Sequence, residues 1–237
     1  ALDPTRLMMD TSGGGGSGIV GGTSIMLPNS DRMIDMVDAH AYCPLPPTDE
    51  AIDNYRTMGK VGVPLFVSEF GAPDAPPDYE SVMAQYTPAE RKLGLEDYQL
   101  HKDFYDSLSQ RFRQAKLGKV FGSVKKMIAE INRVRGEEIR RITLAQRANP
   151  KLSGLTFCQL ADASGELFGA TDVWRRPKVI FRHLADAVAP TVIIPTVIKR
   201  VLGEGEAVKV RADLAEDPPS GARYDWKLEI VNASNRA

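Results

Sequence analysis

Cysteine is nearly missing from this chain: Cys43 and Cys158 are the only two among 237 residues. Two thiols cannot build a disulfide framework, and neither stands at a zinc-site spacing from another cysteine or a histidine, so no metal is implied. Net charge is just as small. Thirty Lys and Arg against 31 Asp and Glu leave −1, without the basic excess that a nucleic-acid or anionic-membrane partner calls for. Long apolar runs are missing too: the stretch from Val188 to Val201 is interrupted by Pro190, Pro195 and Lys199, which excludes a helical membrane span there. The glycine-rich run Gly13 to Gly22 lacks both the Lys-Ser or Lys-Thr ending and the helical continuation of a phosphate-cradling loop. It reads as a flexible loop. No starting methionine or signal sequence opens Ala1-Leu2-Asp3-Pro4-Thr5-Arg6, and Asn235-Arg236-Ala237 closes just after a strand-like segment. Both edges read as cuts in a longer protein.

What is present is enough apolar residue, 43% of the chain, to bury a sizeable core. Its centre is Val63-Pro64-Leu65-Phe66-Val67-Ser68-Glu69-Phe70-Gly71. Continuous rather than alternating hydrophobicity predicts a strand covered on both faces, as in a parallel sheet packed between helices. Pro64 fits at the strand's start, where a ladder donor can be spared. Glu69 is the first acidic group past that strand's carboxyl end. In helix-covered parallel sheets and barrels, active sites form there.

Taken in order, Leu7-Met8-Met9-Asp10 and Met33-Ile34-Asp35-Met36-Val37-Asp38 are strand candidates. Thr48 or Asp49 caps a following helix that turns Ile52, Tyr55 and Met58 to one side until Gly59 and Gly62. Between Leu95 and Ala148 the period is helical. Tyr98, Leu100, Phe104, Tyr105, Leu108 and Phe112 fit one amphipathic helix, with His101 read as a surface or interface histidine. Residues Val120 to Leu144 fit a second, kinked at Gly136. Asn149-Pro150 ends it, Leu155 to Leu160 forms a strand, and Pro177 starts a helix burying Ile180, Phe181, Leu184 and Val188. From Thr191 onward, alternating segments at Ala207 to Arg211 and Tyr224 to Ile230 predict antiparallel strands of a small sandwich. The sum is four parallel strands with helices, then a piece of all-β domain. A full TIM barrel takes about 250 residues and eight strands, so half a barrel fits residues 1–190, with a partial immunoglobulin-like sandwich over 191–237.

Five ordered segments carry a family resemblance. Asp3-Pro4-Thr5-Arg6, Asp38-Ala39-His40-Ala41-Tyr42, Ser68-Glu69-Phe70-Gly71, Leu155 to Asp162 and Trp174-Arg175-Arg176-Pro177-Lys178 resemble successive parts of the catalytic barrel of glycoside hydrolase family two. That is the family of β-mannosidases, β-galactosidases and β-glucuronidases. The resemblance implies the C-terminal half of a (β/α)8 barrel running into the immunoglobulin-like domain, a retaining β-glycosidase, and a carbohydrate substrate. It makes Glu69 the nucleophile and assigns sugar contacts to His40, Tyr42, Gln159 and Asp162. Two carboxylates suffice for such chemistry, so no cofactor is implied. The resemblance also favours a secreted or periplasmic setting.

Two departures stand out. The acid/base glutamate, which the family carries after an asparagine at the end of barrel strand four, has no counterpart, for the sequence contains no Asn-Glu pair. Where relatives read Trp-Gln-Leu-Asn-Asp, this chain reads Cys158-Gln159-Leu160-Ala161-Asp162, without the indole wall. The partner implied is therefore the upstream half of the barrel, in the same polypeptide or another chain. Two alternatives remain: a carbohydrate-binding or structural relative without turnover, and a homo-oligomer in which two half-barrels pair, since exposed sheet edges disfavour an isolated half.

Overall fold

A computed structural model describes residues 8–9, 12, 20–26, 33–71, 75–163, 165–197, 203–217, 221–225 and 227. At its centre three strands run parallel and side by side: β3 (Met33–His40), β4 (Leu65–Phe70) and β5 (Leu152–Phe157). Helix α1 (Asp49–Thr57) links the first two. Thr48 starts it, its hydroxyl accepting the Ala51 N–H at 3.1 Å, with Asp49 and Glu50 in the favourable first turn. Between β4 and β5 come α2 (Tyr79–Ala84), α3 (Pro88–Leu93), α4 (Glu96–Gln114), α5 (Gly118–Phe121) and α6 (Val124–Arg147). Helix α7 (Val179–Ala187) follows β5.

One face of the sheet carries the main core. Val37, Ala39 and Ala41 from the β3 segment join Leu65, Val67 and Phe70 of β4, and these pack on Ile52 and Tyr55 of α1 and Ile139, Ile142 and Ala145 of α6. Each fully buried Val, Leu, Ile or Phe side chain among them contributes about 1.5–3 kcal/mol. On the other face the absent side chain of Gly154 makes room for the Phe66 ring, to which an added Cβ would come within 2.7 Å.

Several expectations need correction. The end of the glycine-rich run is strand rather than loop: β2 (Val20–Met26) lies antiparallel between β1 (Met8–Met9) and β3, pairing Met8 with Met26 and Val20 with Ala39, while residues 13–19 of the run lie outside the described residues. So β1 points the same way as β3 but is not its neighbour. Val20, Thr23 and Ile25 are β-branched and suit a strand, a signal the glycines overshadowed. The fold is mixed α/β, with a five-stranded sheet in the order β1-β2-β3-β4-β5.

Helix α6 runs unbroken through Gly136. That glycine serves packing, because the His183 ring of α7 crosses there and an added Cβ would fall 2.3 Å from its Cδ2. Val120 stands on the separate α5 and is exposed. His101 is only 1% exposed. Its Nδ1–H donates to the Asp97 carbonyl at 2.6 Å and its ring meets Tyr79 edge-on, because α4 packs that side against α2. On α7, Ile180 is buried but Phe181 and Val188 are exposed, since the helix is covered along a narrower stripe than its apolar residues span.

After α7, β6 (Thr191–Val197) and β7 (Val210–Glu216) form a two-stranded antiparallel sheet, Thr191 opposite Glu216. Ile194 packs on Leu144 and Ala187, and the Arg147 guanidinium ties the junction to the Ala187 and Ala189 carbonyls at 2.8 and 2.7 Å. The strand expected from Ala207 begins at Val210. Residues 221–225 and 227 are not in a strand, and the rest of the segment expected up to Ile230 lies outside the described residues.

Candidate active site

Strand β4 breaks step as it ends. Val67 pairs with Leu155 and Phe70 with Phe157, three residues advancing against two, and on the other side Ala39 and His40 face Val67 and Glu69. The extra residue is a bulge. It places both Ser68 and Glu69 on the half-exposed face while Leu65, Val67 and Phe70 stay buried. Glu69 thereby comes beside His40, its main chain held by the Ala41 N–H at 2.7 Å.

Three predicted residues meet at one atom. Glu69 Oε2 accepts the Tyr42 hydroxyl at 3.3 Å and lies 3.2 Å from His40 Nδ1. The Glu69 side chain is 41% exposed and that of His40 21%. Oε1 takes no hydrogen bond among the described residues. The pKa of the Tyr42 hydroxyl is pushed well above the ordinary phenol range by burial first, then by the Cys158 thiol and the Glu69 carboxylate beside it. It therefore stays a donor. Ser12 Oγ, 3.1 Å from Ser68 Oγ, borders the same face.

Gly71 holds the ends of three segments together. A Cβ there would meet the Cys158 carbonyl at 2.4 Å and the Tyr42 ring at 3.1 Å, and the Cys158 N–H donates to the Phe70 carbonyl at 2.7 Å. The peptide after Cys158 is cis. Sequence reasoning treated Cys158 only as a lost aromatic; the register of β5 beside β4 puts its thiol against Tyr42, a proximity with no sequence signature.

Gln159 and Asp162 are engaged elsewhere. The Gln159 amide donates to the Glu166 carbonyl at 3.2 Å. Asp162 is buried, its Oδ1 accepting from the Gly169 N–H and from Lys178 Nζ, both at 2.8 Å. Burial raises the Asp162 pKa, opposed by Lys178, and burial lowers that of Lys178. Lys178 also donates to the Ala75 carbonyl at 2.7 Å, so this pair braces the segments after β4 and β5.

Among the described residues no group of three or more His, Cys, Asp or Glu is placed to hold a metal ion, and no helix is long and apolar enough to cross a membrane. The chemistry on offer is that of one carboxylate with one oxygen accepting the Tyr42 hydroxyl beside the His40 imidazole and the other open to attack an electrophile or accept a hydroxyl. No protein-family model, curated protein or solved structure matches this chain.

Proposed function

We propose that this chain is part of a retaining β-glycosidase in which Glu69 is the nucleophile. The observation that carries the reading is the Tyr42 hydroxyl bonded to Oε2 with His40 Nδ1 beside it, at the carboxyl end of a parallel strand where barrel and open-sheet enzymes keep their reacting groups. The Tyr42 hydroxyl and the imidazole beside Oε2 orient the carboxylate and leave Oε1 to approach the sugar. In the first step Oε1 bonds to the anomeric carbon as the glycosidic C–O bond breaks, and a second carboxyl about 5–5.5 Å away protonates the departing oxygen. Water, deprotonated by that same group, then displaces the glycosyl ester. This second carboxyl is proposed to come from residues outside the given sequence, since the sequence contains no Asn-Glu pair.

The finer fold belongs to the same proposal: residues 1–190 as the C-terminal half of a TIM barrel and 191–237 as the start of an immunoglobulin-like sandwich. It is supported by the consecutive parallel strands β3, β4 and β5. It is supported too by β5 standing last in the sheet order, beside an 820 Å3 groove lined by Leu152, Leu155, Leu184 and Leu214. A further strand, from the upstream half or from a second copy, would satisfy that edge. The intercalated β2 is an addition the barrel reading must accommodate.

A relative without turnover is favoured by one observation: the Gln159 amide nitrogen and Asp162 Oδ1, expected at the sugar, bond within the protein instead. Incubation with activated 2-deoxy-2-fluoro-β-glycosides, whose leaving groups need no acid, separates the two. A stoichiometric mass increase on the peptide containing Glu69, missing in Glu69→Gln, is the expected result. Sugar binding by calorimetry with no adduct from any glycoside would replace the enzyme reading with the binding one.

A further inference from the structure

A second concave site lies away from Glu69, where α4 and α6 face the segment around Phe168. It is a groove of about 570 Å3, within the range of small-molecule sites. Its base is apolar: Tyr79 and Leu167 pack there on Ile128, with Leu108 and Ile131 on the walls. Phe104 and Phe168 line it, and Phe104 is 41% exposed.

The walls are anchored by buried polar contacts. The Pro76 carbonyl accepts the Asn132 amide at 2.8 Å, and the Leu167 carbonyl accepts Lys178 Nζ at 3.3 Å from within the buried ion pair with Asp162. A site held this way needs little reordering to receive a ligand. Its charge is one-sided. Arg111 and Arg135 line the groove and none of the lining residues described is acidic. Arg135 is paired with Glu138 at 2.9 Å, whereas Arg111 has no ion-pair partner among the described residues.

We propose that this groove binds a small aromatic acid, its ring against Phe104 and Phe168 and its anionic group on the Arg111 guanidinium. A planar guanidinium is suited to a carboxylate or sulfonate, and an apolar base with few polar groups at the rim fixes a ring's position. The proposal is independent of the reading of Glu69.

The probe is 1-anilinonaphthalene-8-sulfonate, titrated by fluorescence and calorimetry against the intact chain, beside its uncharged parent N-phenyl-1-naphthylamine. Expected are one sulfonate probe per chain and a roughly tenfold weaker Kd in Arg111→Ala. The uncharged parent should be unaffected by that change, and Phe104→Ala should weaken both. Arg111 and Phe104 are exposed, so both variants should keep the parent circular dichroism, and Glu69→Gln should leave binding unchanged. Binding of several probes per chain, no saturable binding, or an Arg111→Ala Kd equal to the parent's would overturn the proposal.

Discussion

The Tyr42 hydroxyl stands 3.3 Å from Glu69 Oε2, reaching from the end of one parallel strand to the end of the next. Because Tyr42 remains a donor, Tyr42→Phe should remove a hydrogen bond to a charged acceptor, worth about 1.5–3 kcal/mol. The trapping rate of Glu69 by 2-deoxy-2-fluoro glycosides should fall roughly 10- to 150-fold, with the urea midpoint little changed. An unchanged rate, followed by mass spectrometry, would show that the hydroxyl does nothing for Glu69.

Gly71 should tolerate no side chain. A Cβ at 2.4 Å from the Cys158 carbonyl meets backbone, and relief requires the end of β5 or the Tyr42 ring to move. Gly71→Ala is expected to cost about 1–3 kcal/mol in urea unfolding and to slow trapping along with it. Parent-like values of both would mean that the strand ends are not packed this closely.

Gly136 offers a cleaner test, since its obstacle is a side chain. Gly136→Ala alone should destabilise by about 1–3 kcal/mol, because the new methyl meets the His183 ring. In the His183→Ala background the same change should be neutral or gain up to about 1 kcal/mol, the helix-propensity difference between Gly and Ala. A double-mutant cycle measures this coupling; additive effects would remove the crossing contact from the account.

Lys178→Met should leave Asp162 buried without its cation, a loss of about 3–5 kcal/mol near neutral pH. The pH dependence has a definite sign. A carboxyl whose pKa is raised in the folded state binds protons more readily there than in the unfolded chain, so its contribution is most favourable at low pH and is lost as pH rises through the folded value. Burial already raises Asp162, and removing Lys178 removes an opposing influence. The stability gap between Lys178→Met and the parent should therefore narrow from pH 7 to pH 5 in urea titrations. A gap that widens would contradict the assignment.

Much of this architecture was legible because it is local. Strands β3 and β4, helix α1 with its Thr48 cap, and the stripe along α6 follow from hydrophobic period and from residues that start and stop elements, whereas β5 (Leu152–Phe157) sits three residues before the expected Leu155 to Leu160. Glu69 stood out as the first acidic group after an apolar run, although β4 extends through it to Phe70. What could not be read depends on which residues meet across the sheet. The bulge that turns Glu69 toward His40, the thiol of Cys158 beside Tyr42, and the diversion of Asp162 to Lys178 are facts of register and burial between segments far apart in the chain. The coverings of His101 and Gly136 escaped the sequence for the same reason. A helical pattern says which way a residue faces, but what covers that face, α2 over His101 and the α7 ring at Gly136, is settled only when the helices pack.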